Sequence, residues 1–166
     1  MKKIFLFLSV ILISTNIQAQ YMLAKGDKQI NAGLGFSNWG IPVYVGFDYG
    51  VHQDISVGGE VSFRNYSDRW NDHRYNHTIF GISGNGNYHF NTIFKIPKNW
   101  DAYAGINIGF YAESNSDDHF GNGVSGLGLG AQIGGRYYIN DNLGLNLELG
   151  GGNIFSSGKF GISYKF

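Results

Sequence analysis

The chain has 166 residues, with 12 Lys and Arg matched by 12 Asp and Glu, 26 Gly, 2 Pro and no Cys. One domain with its own core suits this length, and the balanced charge supplies no field for nucleic acid. Without Cys there is no disulfide framework, thiol chemistry or cysteine zinc site, and abundant Gly with scarce Pro and no G-X-Y period excludes collagen-like and proline-rich disordered chains.

Met1-Lys2-Lys3 is basic, Ile4 to Ile13 is an apolar run broken only by Ser9, and Ile17-Gln18-Ala19 puts a small residue at a cleavage position. This order predicts a secretory signal peptide over residues 1–19 and an exported domain over 20–166. The apolar run is too short for a membrane anchor, which needs about 20 residues. No Cys follows the cut, so an acylated anchor is excluded.

From Asp27 onward apolar residues recur at every second position, the period of a strand. The rows are Ile30-Ala32-Leu34-Phe36, Val43-Val45-Phe47-Tyr49-Val51, Ile55-Val57-Gly59-Val61-Phe63 and Phe80-Ile82-Gly84-Gly86-Tyr88-Phe90. After the midpoint come Ala102-Ala104-Ile106-Ile108-Phe110, Leu127-Leu129-Ala131-Ile133-Gly135-Tyr137, Leu143-Leu145-Leu147-Leu149 and Phe160-Ile162-Tyr164-Phe166. The opposite faces carry Gly, Asn, Ser and a few charges. Strands of roughly 8 to 13 residues suit a tilted membrane crossing.

Alternation alone fits two barrels, a soluble one with the apolar rows inside and a membrane one with them outside. The polar face is too rich in Gly and too poor in Lys and Glu for a solvated exterior. The rows also end in ordered aromatics. Alternate rows finish at one rim with Tyr49, Tyr88, Tyr137 and Tyr164, each followed two positions later by one more apolar residue, while Phe36, Phe63 and Phe110 close rows at the other. Tyr prefers a membrane interface, where its ring is buried and its hydroxyl stays wet. The reading is all-β: an eight-stranded antiparallel up-and-down transmembrane β-barrel.

Residues 52–54 and 140–142 read as tight turns. Residues 37–42, 65–76, 113–123 and 150–158 read as loops at the other rim, the pattern of short periplasmic turns and longer external loops. The connection 91–100 departs from it, being long on the short-turn side, and Ile93, Phe94, Ile96 and Trp100 would let it lie along an interface.

The signal segment, the eight alternating rows and the closing Tyr164-Lys165-Phe166 together resemble small outer-membrane β-barrels of the OmpA/OmpX type. The Gly- and Tyr-rich texture resembles porin-family barrels of Bacteroidetes-type bacteria. The resemblance covers roughly residues 29–166. It implies outer-membrane lipid as surroundings, and the barrel-assembly machinery as a partner during biogenesis, reading the terminal aromatic Phe166. Fold does not carry function over, because function lives in sites.

Parity places Asp48, Glu60, Arg64, Arg136, Glu148 and Lys165 in the lumen, three acids against three bases, with Asp48, Arg136, Lys165 and His89 near the Tyr rim. These charges could form a paired network filling a narrow barrel or line a small pore whose selectivity they set. Inward Gly33, Gly35, Gly46, Gly58, Gly105, Gly109, Gly128 and Gly130 should leave room for water. In the longest loop, Arg69, Trp70, His73 and Tyr75 are residue types favoured at binding surfaces, so an unidentified surface ligand could contact them. Asp117-Asp118-His119 with Asp72-His73 could meet a divalent ion, but neither spacing matches an EF-hand or HExxH motif. For nucleophilic catalysis His77 with Thr78 is the nearest pairing, and no His-x-Ser occurs. The expectation is a structural or surface-interaction role through the external loops, with no cofactor, resident metal or catalytic residue. A narrow channel is the alternative, and a lipid-modifying enzyme stands third.

Overall fold

The computed structural model describes residues 23–37, 40–70, 73–115, 126–152 and 158–166, of which 66–70, 73–77 and 113–115 are described by backbone alone. The expected signal segment, the Asp117-Asp118-His119 cluster and Asp72 fall outside the described residues.

The period-two rows form eight strands: β1 Lys28–Phe36, β2 Val43–His52, β3 Ile55–Trp70, β4 His73–His89, β5 Trp100–Asn115, β6 Gly126–Tyr138, β7 Leu143–Gly152 and β8 Gly158–Lys165. A single helical turn, α1 Asn91–Phe94, lies between β4 and β5. Each strand pairs antiparallel with the next, and β8 returns to β1 in the register Gln29↔Lys165 to Phe36↔Gly158. Within the apolar belt closure leaves no edge strand among the described residues and pairs the backbone groups around the ring, as a hydrocarbon solvent requires.

The molecule is inside-out relative to a water-soluble barrel. Along β2 exposure alternates at each residue, with Val43, Val45, Phe47 and Tyr49 outward and Tyr44, Gly46, Asp48 and Gly50 buried. Ile106 is 72% exposed and Leu127 64%, whereas Arg136 and Asp48 are each 2% exposed. Burial of a large aliphatic or aromatic side chain is worth about 1.5–3 kcal/mol. A belt of them left in water would forgo far more than a fold's net stability of roughly 5–15 kcal/mol. Acyl chains are the solvent that suits this exterior.

Tyr49, Tyr88, Tyr137 and Tyr164 occupy one rim, paired with Lys28, Ile55, Trp100 and Ile30 respectively. Both described chain ends meet there, Phe166 N–H donating to Lys28 C=O at 2.9 Å; it is called the terminal rim below. Leu23 is fully buried at this rim, and the segment behind it turns under β2, Gly26 N–H donating to Gly50 C=O at 2.8 Å. Gly50 must lack a side chain, since a Cβ would collide with the Ala24 carbonyl.

At the opposite rim the strands run further than the apolar rows indicate. The outward pair Phe63↔Phe80 ends the belt on β3 and β4, but pairing continues to Trp70↔His73. Residues 65–76, expected as a loop, are therefore mostly ladder, with β3 at 16 residues and β4 at 17. The ladder is made by backbone N–H and C=O groups and needs no apolar side chains. A crossing takes about 9–11 residues, so this hairpin rises roughly 15–20 Å past the belt at ~3.3 Å per residue. β5 likewise reaches Asn115 and β7 reaches Gly152, inside the expected loops 113–123 and 150–158.

Candidate functional site

Charged side chains from six strands meet in the lumen in two layers. In the lower one, nearer the terminal rim, Arg136 on β6 reaches across the barrel. Its Nη2 donates to Asp48 Oδ2 on β2 at 2.7 Å, and its Nη1 to Asp101 Oδ2 on β5 at 3.1 Å. A buried ion pair is stable only where its remaining lone pairs are also satisfied. Here Asp48 accepts further hydrogen bonds from Asn31 Nδ2 at 2.9 Å and Asn85 Nδ2 at 3.1 Å. Asn31 in turn is held by Gln29 and Ser163, and Gln29 accepts from the Tyr138 hydroxyl.

Asp101 also meets His89 on β4, whose Nδ1 lies 2.7 Å from Asp101 Oδ1, while His89 Nε2 lies 2.9 Å from the Ser56 hydroxyl on β3. The order serine, imidazole, carboxylate is that of a hydrolase triad. Ser56 and His89 are 0% exposed and Asp101 1%. A nucleophile needs adjacent space for the reacting atom, and this one is fully buried and lines neither lumen cavity.

The upper layer is Lys159 on β8, whose ammonium lies 2.6 Å from Glu148 Oε1 on β7 and 2.8 Å from Glu60 Oε2 on β3. Tyr103 on β5 joins the layers. Its ring faces the Arg136 guanidinium at 4.3 Å, and its hydroxyl donates to Glu148 Oε2 at 2.9 Å. Two cavities of about 20 Å³ flank the Lys159 bridge, each with room for about one water. Glu60, Glu148 and Lys159 line both; Asp48 and Arg136 line the lower one, Arg64 and Asn107 the upper.

Of the six lumen charges expected from parity, Asp48 pairs with Arg136, while Glu60 and Glu148 share Lys159. Arg64 stands higher, its Nη1 donating to Ser37 Oγ at 3.1 Å. Lys165 stays at the terminal rim, 3.8 Å from Asp27 and over the Tyr138 ring. Sequence reading missed Asp101 and Lys159, although both share the inward parity of their rows. They sat at row ends beside the presumed connections 91–100 and 150–158. Adding one acid and one base keeps the expected balance. Missed too was Ser56–His89–Asp101, whose members come from three strands; His77, the histidine favoured by spacing, has no described side chain.

Of the inward glycines expected to leave room for water, Gly46 lines the lower cavity, whereas others leave no free space. A Cβ on Gly33 would meet the Phe160 carbonyl, and one on Gly58 would meet Asp48 and Asn85. In an eight-stranded barrel the interior is just filled by side chains, so glycine here makes way for neighbours. Among the described residues no group of three His, Asp or Glu could hold a metal ion. Arg69, Trp70, His73 and Tyr75 lie at the far end of the β3–β4 hairpin, described by backbone alone.

No family model matches the chain, and no curated protein matches it. Solved structures do. The outer membrane protein OprG of Pseudomonas aeruginosa superposes with a TM-score of 0.66 at 10% identity, covering 90% of this chain and 99% of that one. The N-terminal β-barrel domain of Pseudomonas aeruginosa OprF gives 0.59 at 16% identity, over 86% and 98%. Ail, the attachment invasion locus protein of Yersinia pestis, in complex with the heparin analogue sucrose octasulfate, gives 0.58 at 12% identity, over 86% and 99%. At these identities the likeness is one of fold: the chain is a closed eight-stranded up-and-down barrel, the architecture of these small outer-membrane barrels.

Proposed function

We propose that the chain is an integral outer-membrane protein, exported by a cleaved signal peptide and folded by the barrel-assembly machinery through Phe166. Its role is structural or surface-interacting, and its external face does the work. The observation that carries this reading is the closed lumen: Arg136, Asp48 and Asp101 fill one layer, and Lys159, Glu60 and Glu148 another. The β3–β4 hairpin beyond Phe63↔Phe80 supplies the contact surface, with Arg69, Trp70, His73 and Tyr75 as its contact residues. The Gly- and Tyr-rich texture supports a Bacteroidetes-type origin. A catalytic role is disfavoured by the complete enclosure of Ser56 and His89.

A narrow channel is the second reading, favoured by the two cavities on either side of Lys159. Recordings in planar lipid bilayers separate the two. The structural role predicts silence from the folded wild-type protein and from a variant lacking residues 68–75. Steady ohmic current from wild type, with selectivity altered in Glu148→Gln, would overturn it in favour of the channel.

A further inference from the structure

The connection between β4 and β5 has an apolar outer face that the barrel itself does not cover. Phe94 is 69% exposed and Ile93 60%, both on α1. They continue the belt: the Tyr88 and Phe90 rings meet edge-on at 5.4 Å, Phe90 and Phe94 lie 5.9 Å apart, and Trp100 packs on Tyr137 at 4.8 Å. The turn is held against the rim on its other side. Asn91 is buried, donating to Trp100 C=O at 2.5 Å and accepting from Ala102 N–H at 3.2 Å, and the Thr92 hydroxyl donates to Asp54. Lys95, in the left-handed region at φ 50°, ends the helix, and both Lys95 and Lys98 are exposed. No acid occurs between residues 91 and 100, and Lys25 and Lys28 are exposed on the same rim.

An apolar face flanked by cations at the level of an aromatic girdle is the chemistry of an interfacial anchor, whose ring and aliphatic groups enter the acyl boundary while amines reach headgroup phosphates. We propose that residues 91–99 are a lipid-seated foot. Ile93 and Phe94 enter the leaflet bordering the terminal rim, and Lys95 and Lys98 bind the phosphates of anionic phospholipid. The inference rests on the membrane reading of the barrel, and its test separates the two.

The chain has no Cys, so a nitroxide can be attached singly at Phe94→Cys, at Ile106→Cys in mid-belt, and at Asp141→Cys on an exposed turn of the same rim. The full-length protein is folded into phosphatidylcholine vesicles with and without phosphatidylglycerol. Collision rates with oxygen and with an aqueous nickel chelate are then measured. The label at 94 should resemble that at 106 in favouring oxygen. Its seating should strengthen with phosphatidylglycerol and weaken about fivefold per lysine in Lys95→Gln and Lys98→Gln. A label at 94 as wet as that at 141, with 106 still dry, overturns the foot and leaves the face to a protein partner. A dry label at 94 indifferent to phosphatidylglycerol overturns the assignment to anionic lipid. A wet label at 106 brings down the membrane reading itself.

Discussion

The Tyr103 ring supports the Arg136 guanidinium at 4.3 Å while its hydroxyl donates to Glu148, so one side chain ties the two charged layers together. Gly134 lacks a Cβ where that ring lies, since a methyl would strike the Tyr103 phenol. Tyr103→Phe should cost about 1.5–3 kcal/mol, the worth of a hydrogen bond to a charged group, read from urea unfolding in lipid vesicles. Gly134→Val should cost at least as much in wild type and less on a Tyr103→Leu background. Equal costs on both backgrounds would mean the ring is not what occupies the space.

Arg136 bridges Asp48 and Asp101. Its removal in Arg136→Met leaves two buried carboxylates without their shared partner, which should destabilise by about 3–5 kcal/mol. A double-mutant cycle with Asp48→Asn should return a coupling of about 1–3 kcal/mol. Additive losses would show that the contact of 2.7 Å contributes nothing specific.

Lys159 keeps 16% of its side chain exposed, against 2% for Arg136, so Lys159→Met should cost less, about 2–3 kcal/mol. It should also leave planar bilayers silent, because the Arg136 layer still closes the lumen beneath it. Sustained current in this variant would show that the lower layer does not seal.

Outside, Ile106→Arg near the belt centre should cost about 2–4 kcal/mol. Asn146→Ser in the lumen loses a hydrogen bond to Tyr44 and should cost only about 1 kcal/mol. The same unfolding measurement checks both, and a reversed order would reverse the assignment of faces.

Ser56 has the partners of an activated nucleophile and no room to act. A fluorophosphonate probe should leave the folded protein unlabelled, and expression should leave lipid A unchanged. Stoichiometric labelling lost in Ser56→Ala would make the lumen an active site.

The rows from Ile30 to Phe166 were legible because a barrel imposes period two on every residue that touches the solvent outside, whatever its partner. Partners across the lumen were not. Asp48 and Arg136 lie 88 positions apart, and which inward charges meet depends on closure and stagger, which no single strand records. The ends of β3 and β4 were missed for a different reason: above Phe63 and Phe80 the ladder is made by backbone pairing, which continues to Trp70↔His73 without the alternating apolar row that marks the belt. Lys159 and Asp101 could have been found by extending parity one residue past each row. Ser56–His89–Asp101 required the register Ser56↔Asn87 and His89↔Tyr103.

Mobility on a gel is the most direct check that the greasy exterior faces lipid. Protein folded into vesicles and left unboiled should migrate apart from the boiled chain and resist protease across its strands. Identical migration, together with a monodisperse folded species in detergent-free buffer, would contradict it.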